Sequence, residues 1–438
     1  MSKDERKRFL SGFGFLDSRR RKGQHRQNLT RPLCMMPLEL VEIVSASLEP
    51  VDLCSLRFTC KMLYMKTMNL FGTRCLQTVR TDLSAESIQK LSQISKNGQL
   101  KDHIRCLSIS GTREKPLGCG YSWRRLDSHP QLHLLDRQPC SQQLQGILLA
   151  LTNCRSFEIR RYAGGPDTEI TCLSDMELDY TVPYWFDGCL TPGDAITMML
   201  NIIAELCLPV RSFLVDIRPP NVSEGSYGDP ARRYAMNDRM LGLTTNWSGL
   251  QELTIKRSLS PGLGDWVIGL VRNASNLQTF RLELGHCFEG DTLISRLSVV
   301  SDALPQLREF ELENASLSTP DSLIRLLHHS RHKLQNLCFR NVIIKTSDGL
   351  VRVIRTLENG FAPLTSFNID RVVVKENAIT YPKLSDDTPP SVPSGVRLTF
   401  SHYGQPWEPR KYYVVFFSAE MECGITALGD LIEHFQGL

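Results

Sequence analysis

Two hydrophobic patterns divide the chain. Residues 35–65 carry 19 apolar side chains among 31, too many for one face of any helix to hide. Pro37 suits a first helical turn, because proline lacks the N–H that would go unbonded there. A helix is expected from Pro37 to about Leu48, ended by Glu49-Pro50. Asp52 can cap a second helix that carries Leu53, Leu56 and Cys60. A third apolar run passes through Leu63, Tyr64, Met68 and Phe71. In the first helix Leu38, Val41 and Ser45 share one stripe, and Leu40, Ile43, Val44 and Ser47 lie beside it. That apolar arc exceeds a core-facing stripe. A unit this small buries too little surface to stand alone, so a neighbour has to cover it.

Further along, the pattern becomes Leu-x-x-Φ-x-Φ, with Φ large and apolar. "LQELTI" begins at Leu250, "LQTFRL" at Leu277, "LREFEL" at Leu307, "LQNLCF" at Leu334 and "LTSFNI" at Leu364. The steps are 27, 30, 27 and 30 residues. Looser copies start at Ile104, Cys154 and Val210. The alternation predicts short strands. Helical spacing lies between them, as in Leu350, Val353, Ile354 and Leu357 of "SDGLVRVIRTLENG". One strand and one helix per repeat cannot bury their own faces, so neighbouring repeats must stack. Wide spacing upstream leaves insertions at 111–140, 161–192 and 218–248, rich in Trp and Tyr, among them Trp123, Tyr184, Trp185 and Trp247. Insertions in such an array emerge as loops, which here either offer rings to a partner or pack down on the array.

If Φ residues point inward, the residues between them line the opposite face. Those positions include Arg281, Glu283, Glu309, Glu311, Glu313 and Arg340, a candidate substrate-binding array. Its acidic band at Glu309–Glu313 would favour a basic segment.

Charge changes little. The net +4 is carried by residues 1–32, whose ten Lys/Arg exceed three Asp/Glu by seven; the rest is at −3. Nucleic acid is therefore not expected as a partner of the body, although Arg19-Arg20-Arg21-Lys22 could serve as an import signal or a phosphate-binding arm. The tail reads as disordered. Fourteen cysteines without a CxxC pair fit buried thiols in a reducing compartment, the cytoplasm or nucleus. No apolar run reaches a membrane-spanning length, and the first residues lack a secretory leader's apolar segment.

The order Met36-Pro37-Leu38-Glu39-Leu40-Val41, then Ile43, Leu48, Asp52-Leu53, Leu56, Cys60-Lys61 and Leu63-Tyr64, resembles an F-box. Met36 stands where that family usually has Leu, a swap that conserves volume. The resemblance implies docking onto the Skp adaptor of a cullin–RING ubiquitin ligase of the SCF type. Carried over by position, the adaptor contacts fall on Pro37, Leu38, Ile43, Leu48, Leu53, Leu56 and Cys60. The later repeats resemble leucine-rich repeats, and the layout resembles that of the large fungal sets of F-box proteins. The repeat family places Asn three residues beyond the last strand Φ; here Asn314 and Asn341 fall two beyond it.

The expected fold is α/β: a disordered tail at 1–32, a three-helix F-box at 33–76 and an irregular leucine-rich-repeat-like solenoid at 77–380. A linker at 381–395 and a strand/helix cap at 396–438 complete it. The solenoid's strands would line a concave face and its helices a convex one. The chain reads as a substrate-recognition subunit with a protein substrate and no cofactor. The sequence offers no phosphate loop, no nucleophile elbow and no marked thiol, so no catalytic residue is assigned. His328 and His332 share a helical face at zinc spacing, without an evident third ligand. A scaffold without a ubiquitination role, a freestanding binder capped by its own helices, and a nucleic-acid binder using the tail stay open as alternatives.

Overall fold

The computed structural model describes residues 32–111, 117–121, 139–162, 190, 192–216, 247–256, 261–284, 289–300, 302, 304–345, 347–361, 363–375, 399–403 and 412–420. The basic tail, the 381–395 linker and most of the three insertions lie outside the described residues. The chain divides into two compact units between Gln77 and Thr78.

The first unit is helical. It comprises α1 (Pro32–Met35), α2 (Leu38–Ala46), α3 (Pro50–Thr59), α4 (Lys61–Lys66) and α5 (Met68–Cys75). Pro37 occupies the cap of α2 and not its first turn. Asp52 does not cap α3: Pro50 takes the first position, and Asp52 falls inside the first turn. The third apolar run splits into α4 and α5 at Thr67, whose hydroxyl donates to Leu63 O at 2.6 Å.

Cys34, Val41 and Leu63 form one core, with Leu33, Met36, Leu56, Cys60 and Met62 packed against it. Leu53, Cys54 and Phe71 are buried too. So is Arg57. Its guanidinium lies 4.2 Å from the Tyr64 ring centre and 4.0 Å from that of Phe71. It donates to Tyr64 O at 3.3 Å and Thr67 Oγ1 at 3.4 Å, with no carboxylate among its partners. Two ring faces replace the missing anion, an interaction that strengthens as water is excluded. Arg74 donates to Ala46 O and Leu48 O, satisfying carbonyls that the end of α2 leaves open.

The second unit is a strand–helix alternation. Its strands are β1 (Thr78–Thr81), β2 (Cys106–Gly111), β3 (Ser156–Tyr162), β4 (Ser212–Asp216), β5 (Glu252–Lys256), β6 (Thr279–Glu283), β7 (Glu309–Glu313), β8 (Ser316–Leu317), β9 (Asn336–Ile344), β10 (Ser366–Lys375), β11 (Thr399–Tyr403) and β12 (Tyr412–Glu420). All belong to one open sheet. From β1 to β7, and on through β9 to β10, each strand lies parallel beside its predecessor. Helices α6 (Ala85–Lys96), α7 (Pro139–Ala150), α8 (Pro192–Glu205), α9 (Pro261–Asn273), α10 (Glu289–Val299), α11 (Asp321–His328) and α12 (Ser347–Gly360) fill the connections. Strand order advances one place at a time, and parallel connections are as a rule right-handed, a combination that favours helices on one side of the sheet. The run "KYYVVFFSAE" supplies β12, which pairs antiparallel with β10 and then with β11.

The first Leu of each pattern anchors the strand: Leu250, Leu277, Leu307 and Leu334 are fully buried. The next residue carries a main-chain ladder. Gln278 N donates to Gln251 O at 2.8 Å, Arg308 N to Gln278 O at 2.7 Å and Gln335 N to Arg308 O at 2.8 Å. Each of these carbonyls also accepts from the following residue's N–H, so two bonds clamp every step.

Two asparagines, Asn314 just past β7 and Asn341 within β9, make a second ladder. Asn314 and Asn341 adopt left-handed φ of 55° and 50°. Asn314 Nδ2 donates to Glu283 Oε1 at 3.2 Å, and Asn341 Nδ2 to Asn314 Oδ1 at 2.7 Å. Asparagine tolerates this backbone, whereas a plain β-carbon costs roughly 1–2 kcal/mol there. Asn341→Ala is therefore expected to lower stability by about 1–2 kcal/mol, more than Asn341→Gly, which loses the bond but keeps the backbone. Urea unfolding of the two variants gives the comparison; equal losses would assign the whole effect to the hydrogen bond.

Candidate functional site

Apolar exposure is concentrated in one place. Among the described residues eleven large hydrophobic side chains are exposed, and nine of them lie in residues 35–65. On α2, Val41 and Ser45 turn inward, while Leu40, Ile43 and Val44 make a second stripe at i, i+3 and i+4. Ile43 is 68% exposed, and Phe58 on α3 is 64% exposed. Ile43 also borders a groove of about 370 Å³, with Leu70, Ala46, Glu39 and Glu42 among its lining residues. Exposed apolar side chains crowded into one short segment mark a candidate interaction site.

The sequence-derived contacts divide in three. Pro37, Leu38 and Ile43 are exposed. Leu48, Leu56 and Cys60 are half-buried, and Leu56 and Cys60 pack against the Val41 core. Leu53 has no exposed surface, so it is a core residue of the bundle and not a contact. Sequence reasoning also passed over Phe58 and Met65, both exposed; their hydrophobicity was visible, but their direction was not.

Cys60 lies at the start of α4, its Sγ 3.4 Å from Cys34 Sγ. Burial alone would raise its pKa, but the Leu63 and Met62 N–H groups and the Cys34 thiol hold it below the ordinary thiol value. Other thiols move the opposite way. Burial pushes Cys54 up to about 11, and Cys106, Cys140 and Cys154 up to about 12.

On the sheet's open face the expected acidic band is neutralised from within. Glu311 meets Arg340 at 2.9 Å and Arg281 at 3.4 Å. Arg281 also reaches Glu309 at 3.5 Å, and Glu309 accepts from Asn336 Nδ2 at 3.1 Å. Glu313 is half-buried beside Arg340 in register. Glu283 is buried and accepts from Asn314, which removes it from the partner-facing set. The face is thus a cross-strand ion ladder, because register sets each carboxylate beside or diagonal to a guanidinium.

The aromatic insertions lie outside the described residues, except at their ends. There Trp247 is buried, its ring edge-on to Phe213 at 5.6 Å, so this indole packs down on the sheet. At the histidine cluster, Arg331 bonds both His328 at 2.6 Å and His332 at 3.0 Å. Among the described residues no group of three or more His, Cys, Asp or Glu could hold a metal ion, and no helix is long and apolar enough to cross a membrane.

Residues 33–70 match the family model of the F-box domain. No curated protein matches the chain.

Proposed function

We infer, from an F-box at residues 33–70, that the chain is a substrate-recognition subunit of an SCF-type cullin–RING ubiquitin ligase. The observation that carries this is the crowding of nine exposed apolar side chains into residues 35–65. An F-box calls for a Skp-type adaptor, and that surface is suited to it. Pro37, Leu38, Ile43 and Leu48 contribute directly, joined by Leu40, Val44 and Phe58. Leu56 and Cys60 offer only their edges, and Leu53 supports the surface from beneath. Large, apolar, permanently covered faces characterise obligate interfaces.

The strand–helix unit then acts as a leucine-rich-repeat-like receptor. Arg281, Glu309, Glu311, Glu313 and Arg340 line its open face and read the substrate by charge. The work done is proximity: a substrate lysine held near the ubiquitin thioester gains effective concentration. The chain itself breaks no bond in this reading; burial raises the Cys106 and Cys154 thiols, and the lowered Cys60 thiol belongs to the adaptor-facing helices. Such thiols suit the reducing cytosol or nucleus.

Affinity purification of the full chain with mass spectrometry tests the assignment. Adaptor and cullin are expected in near-stoichiometric amounts. Their joint absence would remove the ligase role and leave a binding scaffold.

A further inference from the structure

Strand register aligns the residue that precedes each strand. From β2 to β7 these residues are Arg105, Arg155, Arg211, Gln251, Gln278 and Arg308. The main chain fixes the row: Arg155 N donates to Arg105 O at 3.0 Å, and Arg211 N to Arg155 O at 2.7 Å. Neighbouring strands are about 4.8 Å apart, so three guanidinium stems stand side by side. All three arginines are exposed. The row contains no Asp or Glu. Among the described residues Arg105 and Arg155 make no ion pair or side-chain hydrogen bond, and Arg211 Nε meets only Gln251 Oε1, at 2.8 Å.

Three arginines within the strands are treated differently. Arg160 has Glu158, Arg281 has Glu309 and Glu311, and Arg340 has Glu311. Like charges on adjacent strands repel. Three of them in line, with only an amide to meet the last, form a surface that an oxyanion would stabilise.

We propose that Arg105, Arg155 and Arg211 form a binding site for an extended acidic peptide segment, whose carboxylates or phosphates the guanidinium forks grip. A peptide is favoured over nucleic acid for two reasons. The row has no aromatic ring on which bases could stack. The chain beyond residue 32 has a net charge of −3, which leaves no broad basic surface to follow a phosphate backbone. That the segment belongs to a ligase substrate rests on the receptor role above; the binding itself does not.

Fluorescence anisotropy on the purified full chain tests the site with three labelled probes. One peptide has three aspartates at alternate positions, a second has phosphoserines there, and the third probe is an oligo-uridine of equal length. At least one peptide is expected to bind, the better of the two naming the source of the anion, with the oligo-uridine at least about tenfold weaker. Changing all three arginines to Gln is expected to weaken peptide binding by about 50-fold or more. Changing all three to Lys is expected to give an intermediate loss, because lysine keeps the charge but not the fork. Glutamine fits the position, since Gln251 and Gln278 already occupy it, and circular dichroism verifies the fold. Unchanged binding by the Gln variant, preference for oligo-uridine, or binding of neither peptide overturns the proposal. No adaptor is present in this assay, so its failure leaves the F-box assignment standing.

Discussion

Ile43→Lys is expected to abolish adaptor capture with the helical unit still folded, whereas Leu53→Ala is expected to unfold the unit itself. The two residues are ten positions apart in one apolar run, but their burial is opposite. Ile43 is 68% exposed, and Leu53 has no exposed surface. A surface substitution away from special features usually changes stability by less than about 0.5 kcal/mol. Here Glu39 lies four residues before position 43 on α2, so a lysine gains an i,i+4 partner. Against a partner, the same ammonium must lose its water inside an apolar contact, at roughly 2–5 kcal/mol and often more. Binding should fall at least about 30-fold. Leu53→Ala instead opens a cavity in the core at about 2–5 kcal/mol, a large share of what so small a bundle can hold. Adaptor pull-down paired with thermal melts separates the two. Wild-type capture by Ile43→Lys would show that α2 is not the docking face.

Most of the sheet could be read in advance, since its cause is local. The repeated runs that begin at Leu250, Leu277, Leu307, Leu334 and Leu364 each form a strand, because alternation specifies two faces without reference to anything distant. The exception is instructive. "LQTVRT" at Leu76–Thr81 supplies β1, although its last position is Thr81 and not an aliphatic residue. Thr81 is buried all the same, with its hydroxyl bonded to Ser87 Oγ at 2.9 Å and to Leu83 N at 3.0 Å. A polar residue can take a core position when local partners satisfy it, and a hydrophobic pattern cannot see that.

The helical unit was less legible in detail. The inward positions of α2 are Val41 and Ser45, whereas the outward stripe of Leu40, Ile43 and Val44 is wholly aliphatic, so hydrophobicity alone could not say that Val41 faces inward and Ile43 outward. The answer depends on where α4 packs, a matter of tertiary contact. The same limit explains Leu53, which sequence position made a contact and packing made core. On the sheet, the charges of the Glu309–Glu313 band were visible, but not their neutralisation. Pairing of Glu311 with Arg281 and Arg340 joins residues 30 and 29 positions apart and follows only from register. The arginine row had the better signal, because its members occupy one fixed position in three successive repeats.

Phe213→Ala is expected to cost the sheet unit about 3–5 kcal/mol, the usual loss for a fully buried phenyl ring. Phe213 is the second residue of β4, in register with Phe157 on one side and Leu253 on the other. Two indoles approach its ring: Trp247 at 5.6 Å and 83°, and Trp266 at 6.1 Å and 61°. Edge-on contacts of this kind are worth about 0.5–1.5 kcal/mol each beyond the area they bury. Trp266 arrives from α9, and Trp247 from just before β5, where its carbonyl accepts from Leu250 N at 2.9 Å. One phenyl ring therefore joins three separate pieces of chain. Its removal should loosen Trp247 first, since that indole is held by a turn and not by a helix. The chain has five tryptophans, so exposure of one is readable as a red shift in intrinsic fluorescence. Phe213→Leu supplies the control, because β5 already carries Leu253 at the same register position. The leucine variant should lose less than about 1.5 kcal/mol and keep the native emission. If the alanine variant unfolds at the same urea concentration as the leucine variant, the three rings are neighbours without being a mainstay of the sheet.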